Sequence, residues 1–274
     1  MYIFLLIIAI VLIMLLTRIT RNAEPIYNIP VGQLGNCLRT TMSMKILADE
    51  MKRPFKIDIS YVHEKEQKVL KLLFPEFIDL IPSYKKWEQS DIIDTTVLTN
   101  TDPQIEGKFI HVPNESFGVS HIYAIKLDSM DDNEFIKRKI ENYKKLPWPE
   151  FNFQDLSDVT GVHIRYSDNT SDPSKKEINT SIDQFKDKLK TVDKPFLLCS
   201  DNQEIIDYVK EEYPNTIFPD KQDDPDLQGF YEMVLLSRTK HLVGSYASTF
   251  SYEASFFRGI PLEIYEKGKW KIYT

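Results

Sequence analysis

Between Val159 and Asp168 a run of apolar and β-branched residues, Val159, Val162 and Ile164 among them, stops at Arg165 and turns polar. That pattern suits a parallel strand covered by helices on both faces, which carries apolar residues without strict alternation. In open α/β sheets, ligands bind in the crevice beyond the C-terminal strand ends. A strand ending in Arg165 therefore aims a fixed cation at such a crevice. His163, two residues earlier, leaves the extended chain on the same face. A strand-end arginine can equally pair with a surface carboxylate, so its meaning depends on what the rest of the chain brings to it.

The second half repeats strand and helix. Ser181 and Gln184 form a capping box for a helix striped by Ile182, Phe185 and Leu189. Phe196 to Cys199 is an apolar strand, and Asp201 with Glu204 reads as a second capping box, opening a helix over Ile205, Ile206 and Val209. A helix at Phe230–Ser237, a strand at His241–Val243, a helix from Thr249 to Phe257 stopped by Gly259, and a strand at Ile260–Ile264 follow. This alternation predicts an α/β fold with a parallel sheet covered on both faces.

The first half is less regular. Asn22 to Pro30 reads as a linker, and Gly32-Gln33-Leu34-Gly35-Asn36 as a glycine turn into a helix carrying Leu38, Ile46, Leu47 and Met51. Strands are expected at Phe55–Ile59, Lys108–Val112 and His121–Leu127, and helices at Lys65–Phe74 and Asp131–Lys145. Pro147 and Pro149 halt the last helix and mark a boundary. The expected division is an N-terminal segment over 1–23, one α/β lobe over 24–150 and a second over 151–274.

A chain of 274 residues with a net charge of −7 and dispersed basic residues does not suit a nucleic-acid partner. Its two cysteines, Cys37 and Cys199, provide no disulfide framework, and no Cys/His cluster has zinc-ligand spacing. Both read as small buried hydrophobes. Ile3 to Leu16 is unbroken apolar sequence followed by Arg18 and Arg21, with no basic segment before it and no Ala-x-Ala site after it. It is expected to be a single-pass membrane anchor rather than a cleaved signal. The basic flank favours a cytoplasmic globular part, whereas Asn-x-Ser/Thr matches at Asn114, Asn169 and Asn179 favour a lumenal one, and the side stays open.

Gly244-Ser245-Tyr246-Ala247-Ser248-Thr249-Phe250-Ser251 follows a strand and opens a helix. Free amides at a helix start, with several hydroxyls beside them, suit an anion. Ser248 or Thr249 also serves as an ordinary N-cap, and Phe250 shares a helical face with the core positions Ala254 and Phe257. Asp201 ends a buried strand, where a carboxylate accepts hydrogen bonds from a nucleobase or ribose.

The stretches Gly32 to Asn36, His163-Ile164-Arg165, Cys199-Ser200-Asp201-Asn202 and Ser245 to Ser251 stand in the order found in the fucosyltransferase superfamily, which the chain resembles from Pro30 to Pro261. This superfamily includes the α1,2-, α1,6- and protein O-fucosyltransferases. The resemblance implies a GT-B-like fold of two Rossmann-like lobes, an acceptor lobe followed by a nucleotide-sugar lobe. It also implies inverting, metal-independent transfer of fucose from GDP-fucose to a glycan or glycoprotein, without a cofactor. By motif, Gly32, Gly35, Asn36 and Arg165 would hold the diphosphate, helped by Ser248, Thr249 and Phe250 at the helix start, while His163 and Asp201 would face the guanosine. The α1,2 and α1,6 branches carry Arg-Arg where this chain has Arg165-Tyr166; the protein O-fucosyltransferases work with one Arg. Arg165 is thus the expected catalytic cation and Asp168, in the loop after it, the expected general base. Two alternatives are a transferase for another nucleotide sugar and a binding protein that keeps the fold without catalysis.

Overall fold

The structure is a computed structural model that describes residues 25–30, 32–79, 97–98, 125–127, 129–151, 153–165, 180–246, 248–266 and 268–274. The Ile3–Leu16 run, the strand expected at Lys108–Val112 and the loop carrying Asp168 lie outside these residues. Among the described residues no helix is long and apolar enough to cross a membrane.

The second half builds a five-stranded sheet. Its strands are β5 (Thr160–Ile164), β6 (Phe196–Ser200), β7 (His241–Gly244), β8 (Leu262–Glu266) and β9 (Lys269–Tyr273), in the order β6-β5-β7-β8-β9. The first four are parallel, with His163 of β5 level with both Cys199 of β6 and Gly244 of β7. Connections leave β5 on one side to β6, and the chain returns on the other side with β7, so the strand order reverses at β5. A reversal of this kind opens a crevice at the C-terminal strand ends. Strand β9 was not expected: it pairs antiparallel with β8 at the sheet edge and is largely exposed, so it lacks the apolar run by which the buried strands are recognised.

Helix α4 (Ile182–Leu189) follows β5, α5 (Gln203–Glu212) and α6 (Gln228–Ser237) both follow β6, and α7 (Thr249–Arg258) follows β7. The Ser181–Gln184 capping box forms in full. Helix α7 ends at Gly259, whose φ of +72° is the left-handed C-cap that glycine adopts most cheaply. The second capping box is displaced by one residue: Asn202, not Asp201, accepts from the Ile205 amide at 3.0 Å and caps α5.

In the first half, the stretch read as a linker contains β1 (Ile26–Asn28), which pairs parallel with β2 (Phe55–Ile57). Between them runs α1 (Leu34–Glu50), followed by α2 (Glu64–Leu73). Val97–Leu98 (β3) pairs parallel with Lys126–Leu127 (β4), and α3 (Asp132–Tyr143) follows. Helix α1 is polar in composition, yet Arg39, Thr40, Thr41 and Ser43 are buried along with Leu38, Met42 and Leu47. Several of its polar groups are met internally: Asn28 donates to Thr41 at 2.8 Å, and the Ser43 hydroxyl to the Arg39 carbonyl at 2.8 Å.

Helix α7 packs on α1, α3 and α6, so one apolar cluster runs from Ile26 and Leu38 through Phe135 and Tyr143 to Phe230, Phe257 and Ile264. The Leu146–Pro149 stretch lies between α3 and β5. There Trp148 donates its indole N–H to the Tyr143 carbonyl and stacks on Phe230. At the centre of the cluster Lys139 of α3 donates to Glu253 of α7 at 2.5 Å, and Tyr143 donates to the other oxygen of the same carboxylate.

Candidate functional site

Beyond the C-terminal ends of β5 and β6 lies a cleft of about 490 Å³. Gln33 and Gly35 from the start of α1, Glu66 from α2, His163 and Arg165 from β5, Asp201 after β6 and Phe250 from α7 all line it. Parallel strands place the residues after their ends side by side, which is why Arg165 and Asp201, 36 positions apart in the sequence, share this crevice. The displaced cap matters here: Asn202 covers the α5 amides, so Asp201 stands on the cleft wall instead of at the helix end.

The end of β5 is stitched to its neighbours by hydroxyls. Ser245, buried after β7, accepts from the Arg165 amide at 2.9 Å and donates to the His163 carbonyl at 3.3 Å. Ser200 donates to the Ile164 carbonyl at 2.9 Å. The Arg165 guanidinium reaches across to donate to the Gln33 side chain at the start of α1. Gln33 and Ser245 lie inside motifs noticed in the sequence, but their bonds need residues more than 75 positions away.

His163 is buried, with Nδ1 at 2.7 Å from the Ser251 hydroxyl and its ring stacked on Phe250 at 4.5 Å between centroids. Burial first, and the nearby Arg165 charge second, push its pKa down to about 3. The imidazole is therefore neutral at ordinary pH and offers hydrogen bonding and a flat face, not a second positive charge. Phe250, on the core face by helical spacing, is only half-buried and takes part in the cleft wall.

Two helix starts meet at the cleft. Neither Gln33 before α1 nor Ser248 before α7 makes a side-chain capping bond, so first-turn amides of both helices lack the usual side-chain acceptor. The hydroxyl of Ser248 is buried and has no hydrogen-bond partner among the described residues. Gly35 lets the helices touch: a Cβ on it would lie 2.7 Å from the Phe250 nitrogen and 2.7 Å from the Thr249 hydroxyl. Thus Gly35, His163, Arg165, Asp201 and Phe250 converge on the cleft. Gly32 (φ +84°), Asn36, Ser248 and Thr249 stand in or beside the same helix starts but outside the cleft lining. Asp168 lies outside the described residues.

Lys65 and Arg165 are the cations of the described lining, against Glu66, Asp201, Asp226 and Glu232. An anion is therefore not drawn by net charge. It would be held by Arg165 and the partial positive charge of two helix starts, which act over short range. The Asp223–Asp226 run ends in a 3₁₀ turn at Pro225–Leu227, where Lys68 of α2 pairs with both Asp224 and Asp226. Cys37 and Cys199 are buried and unpaired, as their neighbours in sequence suggested.

No family model and no curated protein matches the chain. Solved structures do. Arabidopsis thaliana FUT1, a point mutant in complex with GDP, aligns with a TM-score of 0.52 at 17% identity, over 88% of this chain and 70% of that one. NodZ α-1,6-fucosyltransferase co-crystallised with GDP aligns with a TM-score of 0.51 at 13% identity, over 92% of this chain and 99% of that one. The chain has a fucosyltransferase-like fold. The mixed α/β architecture with parallel sheets is thus the expected one. Within it the cleft occupies the strand-order reversal at β5, the position that α/β sheets of this kind offer to a ligand.

Proposed function

We propose that this protein is a glycosyltransferase that binds GDP-fucose in the β5–β6 cleft and transfers fucose to a hydroxyl of a glycan or glycoprotein. The observation that carries this is the convergence of Arg165 with two helix starts that have no side-chain caps, an arrangement suited to a diphosphate. The similar structures of FUT1 and of the α-1,6-fucosyltransferase NodZ were obtained with GDP, which supports the choice of donor. The neutral His163 face, Phe250 and Asp201 suit a nucleoside: a flat apolar surface beside a carboxylate acceptor.

Sugar transfer expels the diphosphate, so negative charge grows on its oxygens as the bond to the sugar breaks. Arg165 and the amides of α1 and α7 stabilise that charge without rearranging, because the Gln33, Ser245 and Phe250 contacts already hold them in place. Inversion follows from a single displacement at the sugar carbon. The division into an acceptor lobe and a nucleotide lobe, and a membrane tether formed by Ile3–Leu16, belong to the same reading.

The test is thermal melting of the full chain with GDP, UDP and ADP, followed by release of GDP from GDP-fucose. A stabilising shift with GDP alone, together with GDP release, is expected. An equal response to all three nucleotides would overturn the choice of donor, and binding without release would leave a binding protein of this fold.

A further inference from the structure

Asp168, expected as the general base, lies outside the described residues, and the acceptor hydroxyl needs a group to take its proton. We infer that Glu66 is that group. The inference rests on the fucosyl-transfer reading and adds to it a catalytic residue on α2.

Glu66 is 2% exposed, lines the cleft, and has one carboxylate oxygen, Oε2, that is buried and makes no hydrogen bond among the described residues. The other oxygen has Lys65 at 3.6 Å, beyond hydrogen-bond reach, and Lys65 is itself largely exposed. A buried carboxylate left in this condition is costly, so buried polar groups without partners are rare and concentrate where a ligand completes them. The local role open to Glu66 is not taken up. It occupies the third position of α2 after the N-cap His63, where a glutamate ordinarily folds back onto the N-cap amide. Among the described residues it makes no such bond.

The remaining carboxylates of the described lining are engaged elsewhere. Asp226 pairs with Lys68, and Glu232 accepts from Gln228 at 2.9 Å. Asp201 lies after β6, on the same sheet end as Arg165. Glu66 instead comes from a helix of the first half of the chain. An inverting displacement requires the attacking oxygen and its base on the face of the sugar away from the leaving group. With the diphosphate held by Arg165 and the helix starts, a base supplied by a separate element meets that requirement.

In the step, an acceptor oxygen forms its bond to the sugar C1 and its proton passes to the Glu66 carboxylate. The C1–O bond to phosphate breaks, and its electron pair leaves on GDP. Once the products leave, water entering the cleft takes the proton from the carboxylate. The same step hydrolyses the donor when water is the acceptor.

The experiment measures GDP release from GDP-fucose, with water as acceptor, by the full chain and by Glu66→Gln and Glu66→Asp. Turnover is expected to fall ~10²–10⁴-fold in Glu66→Gln, the usual range for a lost general base, with the GDP-induced melting shift retained. Azide, an anionic nucleophile with no proton to lose, should restore GDP release in that variant by forming the fucosyl azide. Glu66→Asp should melt like the parent and turn over poorly, because the carboxylate is withdrawn by a methylene. Turnover within about threefold of the parent in either variant, loss of the GDP shift, or loss of cooperative melting in Glu66→Gln would each overturn the assignment. A parent chain that releases no GDP ends the transfer reading and this assignment with it; an active parent beside an equally active variant ends the assignment alone.

Discussion

Gly35 and Phe250 lie in different halves of the chain, yet a single added Cβ on Gly35 would come within 2.7 Å of the Phe250 amide nitrogen. The starts of α1 and α7 are therefore in backbone contact, and the cleft wall they form tolerates no side chain at this point. Inside a helix alanine is normally favoured over glycine by roughly 1 kcal/mol. Here the clash is with backbone and decides the sign. Gly35→Ala should cost about 1–3 kcal/mol and weaken the GDP-induced melting shift. Thermal melting with and without GDP checks both, and an unchanged shift would separate the helix contact from the site.

Arg165→Ala should lose ~10²–10³ of the rate of GDP release, the usual loss for one donor to a developing oxyanion. Its stability should change by less than about 1 kcal/mol, because the side chain is only half-buried. Arg165→Lys should also be slow, since an ammonium cannot reproduce a fork that donates to Gln33 and would grip the diphosphate oxygens of the proposed donor. Turnover and melting of both variants are the measurements, and an active alanine variant would move Arg165 to a structural role.

His163 makes stability depend on pH in a defined direction. Folded, it stays neutral down to about pH 3; unfolded, it protonates below its ordinary 6.5. Between these values the unfolded chain binds the extra proton, so stability falls as pH falls, and above 6.5 this residue adds no pH dependence. The slope approaches 1.4 kcal/mol per pH unit, or about 2 kcal/mol between about pH 7 and pH 5. Denaturant unfolding of the parent and of His163→Asn at both pH values should show that part of the loss only in the parent.

Lys139 and Glu253 are both fully buried. Burial lowers the pKa of the lysine and raises that of the glutamate, each opposed by the partner's charge. Arg39 of α1 also favours the ionised carboxylate, so three helices meet at one charge cluster behind the cleft. Glu253→Ala removes the buried carboxylate to which Lys139 and Tyr143 donate and should cost about 3–5 kcal/mol. A Lys139→Met, Glu253→Leu double variant should recover much of that loss, because well-packed apolar pairs often replace buried ion pairs without penalty. A double-mutant cycle from denaturant melts gives the coupling directly.

Much of the second half was legible because its signals are local. Apolar runs bounded by caps located β5 to β8, Ser181 and Gln184 marked the start of α4, and Gly259 marked the end of α7. Arg165 could be found because it breaks such a run at the end that faces a crevice. The edge strand β9 escaped because a solvated strand has no apolar run. Asp201 and Asn202 are equally good caps by type, so only the backbone course could assign the cap to Asn202 and leave Asp201 on the cleft. Glu66 carried no signal at all: it sits in Glu64-Lys65-Glu66-Gln67-Lys68, which reads as a solvated face.

By itself, the sequence determined the alternation of strand and helix, the order of the motif-bearing turns, and the residue types at each strand end. These follow from hydrophobic period, capping and turn chemistry within a few residues. Tertiary structure alone decided which of those ends meet and in what state. The neutrality of His163 comes from burial under Phe250 and the nearby charge of Arg165, the orphan oxygen of Glu66 from the way α2 packs beside the cleft, and the necessity of Gly35 from the start of α7. Each depends on the dielectric surroundings and contacts made by residues distant in sequence, which no local pattern encodes.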